Sequence, residues 1–162
     1  MASINKNLSD FAHLTVASAT PYRFGIVVAQ WNAQVTERLL NGALQALKHH
    51  GVLEKNIQVA EVPGSYELIS GADIVLRDGS LDAVICLGCV IQGETRHFDY
   101  ICSAVAHGIA NTGIKYNKPV IFGVLTTDNL QQALDRAGGK HGNKGEEAAV
   151  TAIQMAALSS KY

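Results

Sequence analysis

Apolar runs of strand length alternate along the chain with segments in which apolar residues recur every three or four positions. The β-branched run Arg23–Gln30 predicts a strand, and helical spacing begins at Ala33 and continues until Gly51. Asn32 is a candidate N-cap of this helix, and Gly51 is a candidate left-handed C-cap. The same alternation predicts three further strands, Asn56–Val62, Ala83–Cys89 and Val120–Val124, and four further helices, Tyr66–Leu76, Phe98–Tyr116, Asn129–Ala137 and Lys144–Leu158.

This alternation is typical of a parallel sheet. Strands that are apolar on both faces must be covered by helices on both sides, and right-handed crossovers connect them. We therefore predict an α/β fold with three layers, α/β/α, around a four-stranded parallel sheet, in a single domain over residues 1–162. Residues 1–20 lack a helical period and are predicted to form an arm, either disordered or an extra strand that pairs with a neighbour. Asn143 and Glu146 are spaced to cap the last helix reciprocally.

Composition narrows the function classes. The 162 residues are 48% hydrophobic and carry 13 Lys and Arg against 14 Asp and Glu, a formal charge of -1. A binder of nucleic acid normally has a basic surplus, so we expect no nucleic-acid partner. The longest apolar stretch, Ala83–Ile91, is about half as long as a membrane span. Residues 1–21 lack the apolar centre of a secretion signal, so we expect a cytoplasmic protein that does not cross a membrane.

The spacing of Cys86 and Cys89 has the form of a CxxC redox or zinc motif. Both residues fall at the end of a predicted strand, where residues three apart point to opposite faces. Two sulfurs on opposite faces cannot share a metal or form a disulfide. We therefore interpret both cysteines as small core residues in a reducing compartment.

Aromatic residues follow three of the four predicted strands. In open α/β sheets, ligands bind at the carboxyl ends of the strands, where the sequence has Trp31, Tyr66 and Phe122. Each aromatic could simply fill space in the hydrophobic core, but three of them at three strand ends favour a pocket for a flat heteroaromatic ligand.

A loop with a candidate anion site follows the third strand. Gly93, Glu94 and Thr95 lead into a helix, whose free backbone N–H groups can bind phosphate. An ordinary capped helix start, with Thr95 as the cap, would give the same pattern. His97 lies next to this loop, and an imidazole both accepts and donates protons near neutral pH.

A cationic, glycine-rich turn precedes the last helix. Arg136 and Lys140 flank Gly138 and Gly139, and Lys144 follows. Such a turn can hold a phosphate, although a solvated helix end with favourable charges would have the same composition.

Four long motifs in this order resemble those of the 6,7-dimethyl-8-ribityllumazine synthase family of riboflavin biosynthesis. They are Val62–Glu67, Gly88–Tyr100, Phe122–Thr127 and Arg136–Gly145, and the resemblance extends from about residue 23 to residue 158. It implies a flavodoxin-like fold and a transferase that condenses 5-amino-6-(D-ribitylamino)uracil with 3,4-dihydroxy-2-butanone 4-phosphate. Lumazine, phosphate and water are the products, and neither a metal nor an organic cofactor is needed.

The resemblance also implies a role for individual residues. Trp31 stands where many members have a stacking Phe, His97 matches the proton-transfer residue, and Arg136 matches the phosphate-binding arginine from a neighbouring subunit. Phe122 matches an aromatic that reaches the ring from that neighbour. Further substrate contacts fall on Asn32, Ser65, Tyr66, Glu67, Cys89, Val90, Ile91 and Lys144, and further phosphate contacts on Gly93, Glu94, Thr95 and Lys140.

The chain departs from the commonest family pattern at a few positions. Ile69 stands where many members have Pro, Gln92 where Arg or Lys is usual, and Cys86 and Cys89 replace other small residues. None of these changes removes a group with a chemical role.

The resemblance further implies a homopentamer, because the family's site lies between subunits. The uninterrupted turn Gly138–Gly142 is similar to that of members that assemble twelve pentamers into an icosahedral capsid. Riboflavin synthase is an expected partner. Two other classes of function remain compatible with the residues: a flavodoxin-like module that binds a flavin or lumazine without turnover, and a scaffold whose shell is its function. His97 and Arg136 favour the enzyme over both.

Overall fold

The computed structural model describes residues 18–162. The predicted arm, residues 1–20, therefore lies almost entirely outside the described residues. The helices are α1 (Ala33–His49), α2 (Leu68–Leu76), α3 (His97–Tyr116), α4 (Leu130–Asp135) and α5 (Lys144–Ser159). The strands are β1 (Phe24–Ala29), β2 (Ile57–Val62), β3 (Ala83–Ile91), β4 (Val120–Thr127), β5 (Ala137–Gly139) and β6 (Gly142–Asn143), and a short 3₁₀ helix spans Glu54–Asn56.

Strands β1 to β4 form one parallel sheet in the order β2-β1-β3-β4. The predicted four-stranded parallel sheet is confirmed. Strand order reverses between β1 and β3, because the chain first adds β2 on one side of β1 and then adds β3 and β4 on the other. A crevice opens at such a reversal, at the carboxyl ends of the strands.

Helices cover both faces of the sheet, as the three-layer prediction requires. One face packs Ile26, Val28 and Leu87 against α1 and α5, and the other packs Val27 and Val84 against α2 and α3. All six residues of β1 are buried, which explains why this strand is an unbroken apolar run.

Cys86 and Cys89 lie on opposite faces of β3, each inside a different one of these two clusters. Both thiols are free and buried. The interpretation as core residues is confirmed, and within residues 18–162 no group of three or more His, Cys, Asp or Glu side chains has a metal-binding arrangement.

Several boundaries differ from the predictions, and Ala137, the predicted end of the helix from Asn129, is the first residue of β5. Strands β3 and β4 continue to Ile91 and Thr127 because they pair residue by residue along that whole length. Helix α2 begins at Leu68, two residues after its predicted start at Tyr66, because residues 63–67 form a turn. The predicted glycine-rich turn contains a two-stranded antiparallel ribbon, β5–β6, in which Gly138 and Gly142 adopt φ values of 95° and 82°.

Of the three helix-end predictions, that of Gly51 is confirmed, the Asn143 half of the reciprocal cap predicted for Asn143 and Glu146 is confirmed, and that of Asn32 is wrong. Gly51 follows α1 with φ 88°, as a left-handed C-cap requires, and Asn143 caps α5 by accepting a hydrogen bond from the Gly145 N–H at 2.8 Å. Asn32 precedes α1, but its side chain does not cap that helix. Its carboxamide bonds to a different strand, as described below. Within residues 18–162, every helix is too short or too polar to span a lipid bilayer.

Candidate active site

A cleft of about 730 Å³ opens where the strand order reverses. It lies at the carboxyl ends of β1, β2 and β3 and at the start of α3. Nine of the residues singled out in the sequence line it: Trp31, Asn32, Ser65, Tyr66, Glu67, Cys89, Val90, Ile91 and His97. We call it the stacking cleft, because it brings two of the three predicted aromatics, Trp31 and Tyr66, together with His97.

The turn between β1 and α1 carries the single tryptophan of the chain. Its backbone is tied to β2: the Gln30 N–H donates to the Val62 carbonyl at 2.8 Å, and the Trp31 N–H donates to the Pro63 carbonyl at 3.1 Å. The Trp31 side chain is 77% exposed. A large, exposed, flat apolar side chain beside a cleft provides a stacking surface for a ring.

The turn between β2 and α2 forms the opposite part of the cleft. Ser65 is buried against β3, and a Cβ placed on Gly88 would lie 2.7 Å from the Ser65 Oγ. Glycine at position 88 therefore lets this turn approach β3 closely. Tyr66 is half exposed, so its ring is available to the cleft.

His97 is the first residue of α3. Its N–H donates to the Thr95 hydroxyl at 3.4 Å, but Arg96 is the N-cap residue and no side chain caps α3, so the interpretation of Thr95 as the cap is wrong. Gly93, Glu94 and Thr95 are exposed on the turn that leads into His97, beside the stacking cleft. This turn combines exposed backbone with a helix start, which suits an anion.

A second cleft, of about 540 Å³, has the remaining predicted residues on its walls: Phe122, Arg136, Lys140 and Lys144. We call it the cationic cleft. Phe122 lies inside β4 and pairs with Cys86 in register, so the prediction that it follows the strand and shares a pocket with Trp31 is wrong within one chain. Phe122 is the third residue of β4, as it already was in the predicted strand Val120–Val124, and the carboxyl end of the strand lies at Thr127.

The cations of this cleft are held by carboxylates. Glu147 lies 2.8 Å from the Arg136 Nη2 and 3.4 Å from the Lys144 Nζ, and Asp135 lies 3.0 Å from the Lys140 Nζ. Hydrogen bonds from Gln131 and then Lys140 lower the pKa of Asp135. Arg136 also donates to the His141 carbonyl, which fixes the guanidinium against the ribbon. The three cations outnumber the two carboxylates, so the cleft suits an anion.

Burial raises the pKa of the Cys89 thiol, which lines the stacking cleft, to about 11. Burial also raises the pKa of the Cys86 thiol, inside the sheet, to about 12. Both thiols therefore stay protonated at neutral pH, which excludes them as nucleophiles. His97 supplies the one imidazole among the residues that line the stacking cleft, and an imidazole is the side chain that most often transfers protons in catalysis.

Several residues of the clefts escaped the sequence reasoning. Ile101 lines the stacking cleft one helical turn after His97, a position that the i, i+4 spacing could have indicated. Asp135 and Glu147 escaped because their role depends on which cations they contact. The other lining residues that were missed are Pro63, Gly64, Val124, Leu125, Thr126, Thr127, Gln132 and His141.

Comparison with known proteins agrees with this arrangement. A family model described as 6,7-dimethyl-8-ribityllumazine synthase matches residues 21–160. The chain is 57% identical over 157 residues to the 6,7-dimethyl-8-ribityllumazine synthase of Cytophaga hutchinsonii, which covers 97% of this chain and 98% of that protein. It is 52% identical over 160 residues to the enzyme of the same name from Parabacteroides distasonis, covering 99% of this chain and 100% of that protein.

A third relative has the same name. The 6,7-dimethyl-8-ribityllumazine synthase of Flavobacterium johnsoniae is 53% identical over 156 residues, covering 96% of this chain and 82% of that protein. With the sheet topology and the clefts already described, a match over nearly the whole chain leaves one conclusion. The chain belongs to the 6,7-dimethyl-8-ribityllumazine synthase family.

Proposed function

We propose that the stacking cleft is where this chain carries out the reaction of its family, the condensation of 5-amino-6-(D-ribitylamino)uracil with 3,4-dihydroxy-2-butanone 4-phosphate. The observation that carries the proposal is that Trp31 and His97 line one cleft at the point where the strand order reverses. A surface for stacking a pyrimidine and an imidazole for moving protons are the two elements that this chemistry needs most.

The pyrimidine lies against the Trp31 indole in this scheme. Ser65, Tyr66 and Glu67 contact it from the turn after β2, and Cys89, Val90 and Ile91 contact it from the end of β3. Asn32 is the last of these substrate-binding residues. The exposure of Trp31 supports this role, since an indole that only filled space in the hydrophobic core would be buried.

His97 transfers the protons. The amine of the pyrimidine attacks the ketone, a Schiff base forms with loss of water, phosphate leaves as its C–O bond breaks, and the ribitylamino nitrogen closes the second ring on the remaining carbonyl with loss of a second water. Each step adds or removes a proton, and His97 borders the cleft in which these atoms would lie. Holding both substrates in a reactive pose supplies much of the remaining acceleration.

The phosphate lies at the turn Gly93–Thr95. Arg136 and Lys140 bind it and stabilise it as it departs, while Phe122 and Lys144 approach the other substrate. Within one chain these four residues line the cationic cleft, apart from the stacking cleft. We therefore propose that the cationic cleft of one subunit faces the stacking cleft of the next.

This arrangement makes the active unit a homo-oligomer, and the family resemblance makes it a pentamer with the icosahedral capsid as its larger form. A single subunit would be inactive, because His97 and Arg136 would then serve different clefts. We further propose that the enzyme works in the cytoplasm and that riboflavin synthase receives its product. The buried, free cysteines are compatible with a reducing compartment.

Mixing the purified protein with both substrates tests the proposal. The coloured, fluorescent lumazine should appear only when both are present. A protein that binds added lumazine tightly but forms none would be a binding module, and the proposal would then be wrong. Omitting each substrate in turn provides the control.

A further inference from the structure

The backbone at Asn32 has a conformation that its place in the fold does not explain. Its φ and ψ are 61° and 43°, in the left-handed region. Among the non-glycine residues of 18–162, only Asn117 shares a positive φ, and Asn117 follows the end of α3, where this conformation is common. Asn32 precedes a helix, where the flanking residue is usually extended. Something other than helix capping therefore selects this conformation.

The side chain of Asn32 supplies the reason. Its Nδ2 donates to the carbonyl of Cys89 at 2.9 Å, across 57 positions of sequence. A carbonyl can only accept, so the atom of the carboxamide that faces it is the nitrogen. The pairing of β1 with β3 ends at Val28 and Leu87, so this bond connects the two strands beyond the end of their ladder.

The bond lies next to the exposed indole of Trp31 in the chain. Trp31 is 77% exposed, so side-chain packing does little to hold it, and its backbone must do so. One attachment is the bond from the Trp31 N–H to the carbonyl of Pro63, after β2. The other is the bond from Asn32 to Cys89, on β3. The turn therefore links both walls of the stacking cleft.

We propose that Asn32 is a positioning residue for Trp31, and that its left-handed turn and its bond to the Cys89 carbonyl set the width of the slot between the indole and the end of β3. This rests on the proposed function, in which a pyrimidine occupies that slot. The role is additional to the direct substrate contact that the family resemblance implied for Asn32, because one N–H of the carboxamide serves Cys89 while its second N–H and its oxygen can still face a ligand.

Two substitutions separate the backbone from the side chain. Asn32→Gly retains easy access to the left-handed conformation and removes the bond to Cys89. Asn32→Asp retains the size of the side chain but replaces the donor with a carboxylate that repels the carbonyl. Because Trp31 is the single tryptophan, its time-resolved fluorescence anisotropy reports the motion of this indole without any substrate. Steady-state kinetics then gives KM for the pyrimidine and kcat separately.

Both variants should add a nanosecond component to the anisotropy decay of Trp31. Both should raise KM for the pyrimidine about tenfold while kcat at saturation stays within about twofold. Gln30→Ala is the matched control. It removes a side-chain hydrogen bond to Glu61 from the same turn, outside the stacking cleft, and should leave both readouts unchanged.

Unchanged anisotropy together with unchanged KM in Asn32→Gly would overturn the proposal. So would a raised KM with unchanged anisotropy, because Asn32 would then act by touching the substrate. Should Asn32→Asp fail to fold by circular dichroism, Asn32→Gly decides the question, since glycine adopts the turn without strain. A wild-type protein without turnover would refute the proposed function, and the anisotropy of Trp31 would still test the positioning role.

Discussion

Five of the six histidines of this chain lie within residues 18–162, and they occupy different places in the fold. His97 borders the stacking cleft at the first position of α3, whereas His107 lies on the exposed face of the same helix, with its Nδ1 2.8 Å from the Ser103 carbonyl. The motif around His97 was enough to predict this residue as a candidate from the sequence. That His97 lines the same cleft as Trp31 is seen only in the folded structure, because β1 and α3 are far apart in the chain.

His97→Ala should lower kcat by about 10²- to 10⁴-fold without abolishing turnover, since general acid–base catalysis accounts for a factor of that order and the binding of two substrates together remains. Steady-state kinetics on the purified variant measures it. His107→Ala is the control and should retain wild-type rates. Complete loss of turnover in a folded His97→Ala protein would contradict the expectation.

Gly93 provides a test of the phosphate turn. A Cβ placed there would have no atom of the chain within 4 Å, so Gly93→Ala should change the free energy of unfolding by less than about 0.5 kcal/mol. If phosphate approaches this backbone, the added methyl should raise KM for the phosphorylated ketone severalfold and leave KM for the pyrimidine unchanged. Equal effects on both substrates would argue against a phosphate site at this turn.

Helices α1 and α5 pack closely at Gly145, and the side chain of Asn143 connects them. Asn143 donates to the Arg38 carbonyl of α1 at 3.0 Å and accepts from the Gly145 N–H of α5. A Cβ on Gly145 would fall on the backbone of Leu39. The sequence predicted Asn143 as a cap of the last helix, but the role of Asn143 and Gly145 in joining the two helices depends on the packing.

Gly145→Ala should therefore lower the free energy of unfolding by about 1–3 kcal/mol, because the backbone of α1 must move to admit the methyl group. Denaturant unfolding measures the change. Gly93→Ala, where the space is open, is the matched control. An unaffected midpoint for Gly145→Ala would mean that α1 and α5 separate at little cost.

A cluster of charges joins α2 to α3. Asp73 of α2 forms an ion pair with Lys115 of α3, accepts from the Tyr116 hydroxyl at 2.9 Å, and pairs with Arg77 at 2.9 Å. Hydrogen bonds from Lys115, then Arg77 and Tyr116, hold the pKa of Asp73 well below its usual value. A carboxylate with a lowered pKa stabilises the fold above its unfolded pKa, about 3.9, and the contribution is lost as pH falls below it.

Asp73→Asn should thus lower the urea midpoint most above about pH 5, and the difference from the wild type should shrink steadily as pH falls below about 4. Added salt should also reduce it at neutral pH, since the cluster is on the surface. Glu37→Gln, at an exposed position of α1, is the control. A difference that stays constant from pH 7 to pH 3 would show that charge is not its origin.

The assembly is where the two clefts become one site in the proposed scheme. Mixing His97→Ala and Arg136→Ala subunits by joint refolding should restore activity, because some interfaces then combine an intact His97 from one subunit with an intact Arg136 from the next. With random mixing of equal amounts, about one site in four is complete. The turnover rates of the mixture and of each parent variant test this prediction. A mixture no more active than the average of its parents would place both residues in a site within one subunit.

Local sequence was sufficient for the elements and for the identity of most candidate residues. Burial on both faces of the sheet forces apolar runs such as β1, helices on its faces impose the three-to-four residue period, and the motifs keep their order along the chain. The separation of those candidates into a stacking cleft and a cationic cleft follows from the strand order, which places β4 at the edge of the sheet and away from the reversal between β1 and β3.

The same holds for the bonds that orient individual side chains. The hydrogen bond between Asn32 and Cys89, and the ion pair between Arg136 and Glu147, form only when packing brings residues from different elements close together. Hydrophobic periodicity reports which face of an element is buried, and it carries no information about which distant residue a polar group will meet. The tertiary structure determines which distant residue each polar group contacts.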